Sequence, residues 1–357
     1  MKRITRGLMP LLALAATLAA AEPRTYEFNG VNAFTVDPGS DTSFIATSDG
    51  IVKFQGEIRT TTIMRDPCQA RALATMRAPG HERLYVGCAD RAGIAVLVAD
   101  GSEFDGLLLG WIATPGNVFD LAVVGERVFA SAVNQWRVWE LNAAPRAQAP
   151  DTRPVADRVI RSWGPFLGGD SYSEGPDLAV AGNTVLYGAG PRTMVKIDLG
   201  ANSADPVGTE SGSRTRLLDL SPSPQGTRYV LHWTVVEAQG HIGDFVGVGT
   251  VAGASQALPQ LRGQVAGAAS DTGLYSVGVS GSVAFYSFAS LDQGNSNLPQ
   301  RQVHKFSNFE GGVTLRLLPR SQRLVMVGRK SVVFIPTGEF CTACLPSAGG
   351  WRATLGQ

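Results

Sequence analysis

Apolar and polar residues alternate in short runs along this chain, and the runs recur in groups of three. In each group an apolar run leads, through turns rich in Gly, Pro or Asn, to two further runs with β-branched and aromatic residues. One group reads Asp120-Leu-Ala-Val-Val124, Val128-Phe-Ala-Ser-Ala132 and Arg137-Val-Trp-Glu-Leu141. Apolar and alternating runs of this length, separated by turn residues, predict β-strands rather than helices.

The group of three runs occurs seven times. The middle runs begin near residues 44, 84, 128, 185, 229, 274 and 324, so the intervals lie between 40 and 57 residues. A small sheet has two apolar faces, and radial stacking of such sheets around an axis buries both of them. A β-sandwich is the alternative architecture. The repeat predicts an all-β, seven-bladed β-propeller with blades of about 40–50 residues.

Several units resemble blades of known propellers. Arg83-Leu-Tyr-Val-Gly-Cys88 is followed by Ile94-Ala-Val-Leu-Val98, and Asn183-Thr-Val-Leu-Tyr187 by Met194-Val-Lys-Ile-Asp-Leu199. These units are similar to those of the seven-bladed WD40, YVTN and lactonase-type propellers, and the resemblance covers nearly all of residues 25–340. The Trp-Asp ending of WD40 blades is replaced in one copy by Val138-Trp-Glu140, and the Tyr-Val-Thr-Asn string is missing. The resemblance therefore implies an architecture, without a specific family or activity.

The first residues have the pattern of an export signal. Lys2, Arg3 and Arg6 precede an apolar run, and Ala19-Ala20-Ala21 forms a small-residue cleavage site. We therefore interpret residues 1–21 as a signal peptide, 22–340 as the propeller and 341–357 as a C-terminal tail. Since no other segment is apolar enough to span a bilayer, this organisation predicts a soluble periplasmic or secreted protein. The excess of 26 Arg over 5 Lys residues indicates a bacterial source.

The net charge and the amino-acid composition limit the classes of partner that this protein can bind. The 31 Lys and Arg residues balance 30 Asp and Glu residues, which argues against nucleic-acid binding. Gly accounts for 42 of the 357 residues, which suits many strands joined by tight turns. We expect another protein or a component of the cell envelope as the partner.

Four cysteines follow the predicted cleavage site, and disulfides persist in oxidising compartments. Cys68 precedes the inner strand of the second copy, and Cys88 ends its second strand. Propeller topology puts these two loops on the same face, so we favour a Cys68–Cys88 disulfide. Cys341 and Cys344 then pair with each other or attach the tail elsewhere.

Closure of the ring needs one more strand for the last copy. Thr25-Tyr-Glu-Phe28 precedes the first copy and can supply the outer strand of the last blade. The Cys-rich tail is the alternative.

Carboxylates recur where inner strands start. Asp120, Asp177 and Asp219 occupy this position in three copies, close to the predicted mouth of the central channel. Converging carboxylates bind hard cations such as Ca²⁺ or act as acid and base, and Zn²⁺ is a further candidate. The simpler interpretation is that each Asp accepts hydrogen bonds from nearby amides. No cofactor is otherwise indicated.

Two long connections carry residue types that suit recognition. Residues 142–176 hold Trp163, Phe166 and Tyr172, and residues 234–244, between two predicted strands, lie beside His232 and hold His241. Aromatic and imidazole side chains on loops commonly contact ligands. We therefore expect a binding or scaffold protein that uses the loops of one face. A lactonase-like hydrolase with a metal ion at the channel mouth is the alternative, so enzymatic activity stays undecided.

Overall fold

Antiparallel β-strands form most of the regular structure in the computed structural model. It describes residues 22–37, 39–78, 81–147, 159–164, 175–181, 185–189, 194–207, 214–225, 227–237, 240–250, 255–257, 264–278, 282–293 and 314–339. In these ranges the helices are α1 (Phe288–Asp292) and a 3₁₀ turn (Thr337–Glu339). Neither is long or apolar enough to cross a membrane.

The strands form sheets of neighbours in sequence, numbered here in chain order. Sheet 1 contains β2 (Val31–Asp37), β3 (Thr42–Thr47), β4 (Gly50–Gln55) and β5 (Ile58–Met64), and sheet 2 contains β6 (Ala70–Ala78), β7 (His81–Cys88), β8 (Gly93–Val98) and β9 (Leu108–Ala113). Sheet 3 contains β10 (Val118–Val124), β11 (Arg127–Ala132), β12 (Gln135–Leu141) and β13 (Val159–Trp163). Sheet 4 contains β14 (Asp177–Ala181), β15 (Val185–Ala189), β16 (Met194–Asp198) and β17 (Ser203–Val207).

The remaining sheets complete the ring. Sheet 5 contains β18 (Arg214–Pro222), β19 (Arg228–Glu237), β20 (Gly240–Thr250) and β21 (Ser255–Ala257); sheet 6 contains β22 (Gln264–Ala269), β23 (Gly273–Gly278) and β24 (Val283–Ser287); sheet 7 contains β25 (Thr314–Leu318), β26 (Arg323–Val327), β27 (Ser331–Pro336) and β1 (Arg24–Glu27).

The predicted all-β propeller fold is confirmed, with six four-stranded blades. The expectation of seven blades is wrong for the described residues, which show six complete blades, because sheet 6 has only three strands within these ranges. In sheet 6 the chain continues from β24 directly into α1, whereas in sheets 1 to 5 the third strand leads to a fourth strand. Local sequence similarity between copies therefore did not reveal this difference.

Successive residues of one strand pack against different neighbouring sheets. In β3, Phe44 and Ala46 join the apolar cluster shared with sheet 2, whereas Ile45 joins the cluster shared with sheet 7. Both faces of the strand are therefore buried, and β3 is buried throughout instead of alternating between buried and exposed residues.

Apolar contacts occur at each boundary between consecutive sheets. Side-chain clusters join sheets 1 and 2, 2 and 3, 3 and 4, 5 and 6, and 6 and 7. Between sheets 4 and 5, the rings of Tyr187 and Tyr229 lie 4.9 Å apart. Side-chain packing thus holds neighbouring sheets to one another, and backbone hydrogen bonds hold the strands within each sheet.

The N-terminal strand closes the ring, as predicted. β1 pairs antiparallel with β27, from Arg24 opposite Phe334 to Glu27 opposite Ser331. Tyr26 brings its ring to 4.9 Å from Phe54 of sheet 1, and Phe54 lies 5.1 Å from Phe334. This aromatic cluster joins the two ends of the propeller.

Polar groups strengthen the same junction. Glu57, in the turn after β4, forms ion pairs with Arg323 at 2.8 Å and with Arg24 at 3.4 Å. The carboxylate of Asp41 accepts hydrogen bonds from the backbone amides of Arg320 and Ser321. Charged and neutral contacts therefore both connect sheet 7 to sheet 1.

Two segments that we expected to be loops contain strands. Residues 142–176 include β13, and residues 234–244 are mostly the facing ends of β19 and β20. Long third-to-fourth strand connections and long hairpins are difficult to distinguish from loops in sequence, because both contain Gly and polar residues.

Candidate functional site

A cavity of about 490 Å³ lies on the propeller axis and is lined by the inner strands of all the sheets. The volume is in the range of small-molecule sites. Its polar lining includes Asp37, Thr75, Asp120, Asp177, Ser221 and Arg316. Two of the three residues that we singled out at the inner strands, Asp120 and Asp177, therefore line this cavity.

Asp120 makes hydrogen bonds that join two blades. One carboxylate oxygen accepts a hydrogen bond of 2.7 Å from the backbone amide of Leu121. The other accepts a hydrogen bond of 2.6 Å from the backbone amide of Leu178 in sheet 4. The Ser131 hydroxyl accepts a hydrogen bond of 3.1 Å from the backbone amide of Asp120 and donates one of 2.6 Å to the carbonyl oxygen of Pro176. This geometry agrees with the simpler interpretation, in which the carboxylate binds nearby amides.

The other two carboxylates are placed differently. Asp177 is half-buried at the start of β14, and Asp219 lies within β18, where the structure describes the backbone. Among the described side chains, Cys68, Cys88 and Asp90 form the one group of three whose sulfur and carboxylate atoms lie within 4.8 Å of one another. Cys68 and Cys88 are bonded to each other in a disulfide, so their sulfur atoms are not thiolate ligands in this state.

Backbone register brings two of the predicted site residues together in sheet 5. Asp219 of β18 lies opposite His232 of β19, next to an irregularity between Leu217 and Asp219. His241 of β20 lies opposite Val236, further along the same hairpin. Cross-strand partners share one face of a sheet, a proximity that the residue spacing alone did not reveal.

Trp163 does not lie on an exposed loop. It ends β13, is 7% exposed, and its ring lies 5.8 Å from Phe129 in the cluster between sheets 3 and 4. The side chain therefore stabilises a blade boundary instead of contacting a ligand from a loop. Phe166 and Tyr172 lie outside the described residues.

The predicted Cys68–Cys88 disulfide is confirmed. The two Cα atoms are 5.7 Å apart, and the bond closes a loop over a sequence separation of 20. Asp66 lies beside it, where burial raises the pKa of the carboxyl although the amides of Cys68 and Ala70 donate to it. Cys341 and Cys344 lie outside the described residues.

Exposed apolar side chains concentrate on the outer wall of sheets 1 and 2. Of the seven exposed large apolar residues in the described ranges, six belong to this area, which we call the rim patch: Ile58, Ile63, Phe104, Leu107, Leu108 and Leu109. The seventh, Ile160, lies on sheet 3. The sequence signal that could have indicated the patch is the run Leu107-Leu108-Leu109, directly after a turn containing Phe104.

The loop that carries Phe104 is held in place by polar contacts. Asp105 accepts a hydrogen bond from the buried Lys53 of sheet 1 at 2.7 Å and another from the amide of Gly101 at 2.7 Å. The Ser102 hydroxyl accepts the amide of Phe104 at 3.1 Å. Because the loop is fixed, the ring of Phe104, which is 57% exposed, is presented in a defined position.

No protein-family model and no curated protein matches this chain. Among solved structures, hydrazine synthase from Kuenenia stuttgartiensis aligns with a TM-score of 0.59 at 14% identity, over 85% of this chain and 94% of that one. U3-55K aligns with a TM-score of 0.57 at 16% identity, over 88% and 98% of the two chains. BamB from Moraxella catarrhalis aligns with a TM-score of 0.51 at 10% identity, over 87% and 98%. U3-55K and BamB are β-propeller proteins, and at these identities the likeness shows that this chain shares their fold.

Proposed function

We propose that this chain is an exported β-propeller that acts as a binding or scaffold protein and contacts its protein partner through the rim patch. The observation that carries the proposal is the concentration of exposed apolar residues on sheets 1 and 2. Apolar patches of this kind mark interaction sites when they occur on an otherwise polar surface. A pre-positioned aromatic residue such as Phe104 is the type of anchor that dominates binding energy.

The proposal includes export of the protein and a propeller of seven blades. The N-terminal signal pattern and the Cys68–Cys88 disulfide support an oxidising compartment such as the periplasm. We count sheet 6 as the seventh blade, because it packs between sheets 5 and 7 and its inner strand reaches the central cavity at Ala269.

Site-specific cross-linking tests the rim patch. A photoactivatable residue at position 63, in the full chain expressed in cells that export it, is expected to give a discrete protein adduct. Ile160 is the matched control position, because it is also exposed but lies on sheet 3. The adduct at position 63 should disappear in a Phe104→Ser variant, since the anchor is then lost. Equal adducts at positions 63 and 160, or none at position 63, contradict the proposal.

A metal-dependent hydrolase is the second candidate, and the register of Asp219 opposite His232 favours it. A carboxylate and an imidazole on adjacent strands are suitable ligands for Zn²⁺. In this case calorimetric titration with Zn²⁺ shows stoichiometric binding, weakened about tenfold or more in His232→Ala. The control His304→Ala should bind as the wild type does. If His232→Ala binds Zn²⁺ with unchanged affinity, this assignment fails.

A further inference from the structure

We infer that reduction of the Cys68–Cys88 disulfide creates a Zn²⁺ site in sheet 2, with the two cysteine thiolates and the carboxylate of Asp90 as its ligands. The sulfurs are neighbours because they are bonded to each other, so the informative contact is that of Asp90. Its carboxylate lies within 4.8 Å of both sulfurs. The inference uses none of the residues of the rim patch and does not depend on the proposed function.

Backbone hydrogen bonds hold the ligand positions together in addition to the disulfide. Ala70 lies opposite Cys88 in the ladder of β6 and β7. The amide of Ala89 donates to the carbonyl oxygen of Gln69 at 2.8 Å, which continues this pairing. The amide of Gln69 donates to the carboxylate of Asp90 at 3.3 Å. Breaking the sulfur–sulfur bond therefore leaves the segments that carry the ligands paired with each other.

The turn before β6 fixes the position of Cys68. The two carboxylate oxygens of Asp66 accept backbone hydrogen bonds of 3.2 Å, one from Cys68 and one from Ala70. The Cα atoms of Cys68 and Cys88 lie 5.7 Å apart. Zn–S bonds of about 2.3 Å in a tetrahedral site put two thiolate sulfurs about 3.8 Å apart. Two cysteine side chains on Cα atoms at the observed distance can reach this separation by rotation.

Two thiolates and one carboxylate form a ligand set that suits Zn²⁺. Thiolates select soft and borderline metals such as zinc, whereas Ca²⁺ and Mg²⁺ take oxygen ligands. The carboxylate of Asp90 also pairs with Arg91 at 3.0 Å. An ionised carboxylate has about four lone-pair positions, so it can keep this contact and bind a metal as well. Three protein ligands leave the fourth tetrahedral position to water, as in open zinc sites.

The cluster is accessible from one side. Asp90 is exposed and Cys68 is half-buried, whereas Cys88 is fully buried. A dithiol reductant attacks the sulfur of Cys68, gives two electrons and two protons to the cysteine pair, and is itself oxidised to a disulfide. Zn²⁺ then displaces both cysteine protons, which pass to solvent as the two zinc–sulfur bonds form. The redox state of the pair therefore decides whether the metal site exists.

Zn²⁺ titration of the full chain in its oxidised and reduced forms tests this inference, with affinities measured by competition with a chromophoric chelator. The chain carries Cys341→Ser/Cys344→Ser, so that the tail supplies no thiol, and the reductant is a phosphine, which competes for zinc less than a dithiol does. We expect one Zn²⁺ per reduced chain and binding at least about tenfold weaker in the oxidised chain.

Two carboxylate variants identify the third ligand. Asp90→Asn should weaken Zn²⁺ binding by the reduced chain about tenfold or more. The matched control is Asp100→Asn, which changes an exposed carboxylate between β8 and β9 of the same sheet and should leave the affinity unchanged. Co²⁺ gives a second readout, because thiolate ligation produces a charge-transfer absorption. The reduced chain should show this absorption, and Cys68→Ser/Cys88→Ser should lack it.

Several results would overturn the inference. They are the absence of stoichiometric binding by the reduced chain, equal affinities of Asp90→Asn and Asp100→Asn, and loss of the β-sheet circular dichroism on reduction, since the ligand positions must survive reduction. If oxidised and reduced chains bind Zn²⁺ equally and His232→Ala abolishes this binding, the metal belongs to Asp219 and His232 instead.

Discussion

Phe54→Ala is expected to lower the free energy of unfolding by about 3–5 kcal/mol, the range for removing a buried aromatic side chain. Phe54 is fully buried and contacts Tyr26 and Phe334, so its removal leaves a cavity between the first and last sheets. These contacts join segments from opposite ends of the chain, and no neighbouring turn can replace them. Urea denaturation followed by tryptophan fluorescence measures the change.

The matched control is Phe104→Ala, which removes the same group from an exposed position. We expect this variant to change the free energy of unfolding by less than about 0.5 kcal/mol, as for most surface substitutions. Equal losses in the two variants, or no loss in Phe54→Ala, would show that ring closure does not depend on the aromatic cluster.

Removal of the disulfide should have the second largest effect. In the chain-entropy model, a bond that closes a loop of about 20 residues contributes about 3 kcal/mol, because it restricts the unfolded chain. We therefore expect the double variant Cys68→Ala/Cys88→Ala to lose about this amount. Denaturation of wild type and variant without reductant measures it.

Reductant provides the control for this experiment. Dithiothreitol should destabilise the wild type towards the level of the double variant. Any further effect on the double variant would report a disulfide formed by the remaining Cys341 and Cys344. A double variant as stable as the oxidised wild type would contradict a stabilising role for the Cys68–Cys88 bond.

The functional surface was harder to predict than the fold. Residue types and spacing placed the binding residues on loops, yet Trp163 packs between blades and the exposed apolar residues lie on the outer wall. The sequence pattern of an aromatic residue after a Pro-rich segment predicts an exposed side chain. The apolar run Leu107-Leu108-Leu109 is typical of a buried strand. Whether such side chains are covered depends on which sheet lies beside them, and residue order does not contain this information directly.

The sequence by itself determined the all-β class and the repeated sheets, and it indicated closure by the N-terminal strand and favoured the Cys68–Cys88 pair, which the structure then confirmed. These features follow from local periodicity and from propeller topology, which brings the two cysteine-bearing loops together. Only the tertiary structure decided that sheet 6 has three described strands, that Asp120 links sheets 3 and 4, and that Leu108 and Leu109 of β9 are exposed. These features depend on contacts between distant segments, because burial and pairing are properties of the packed ring.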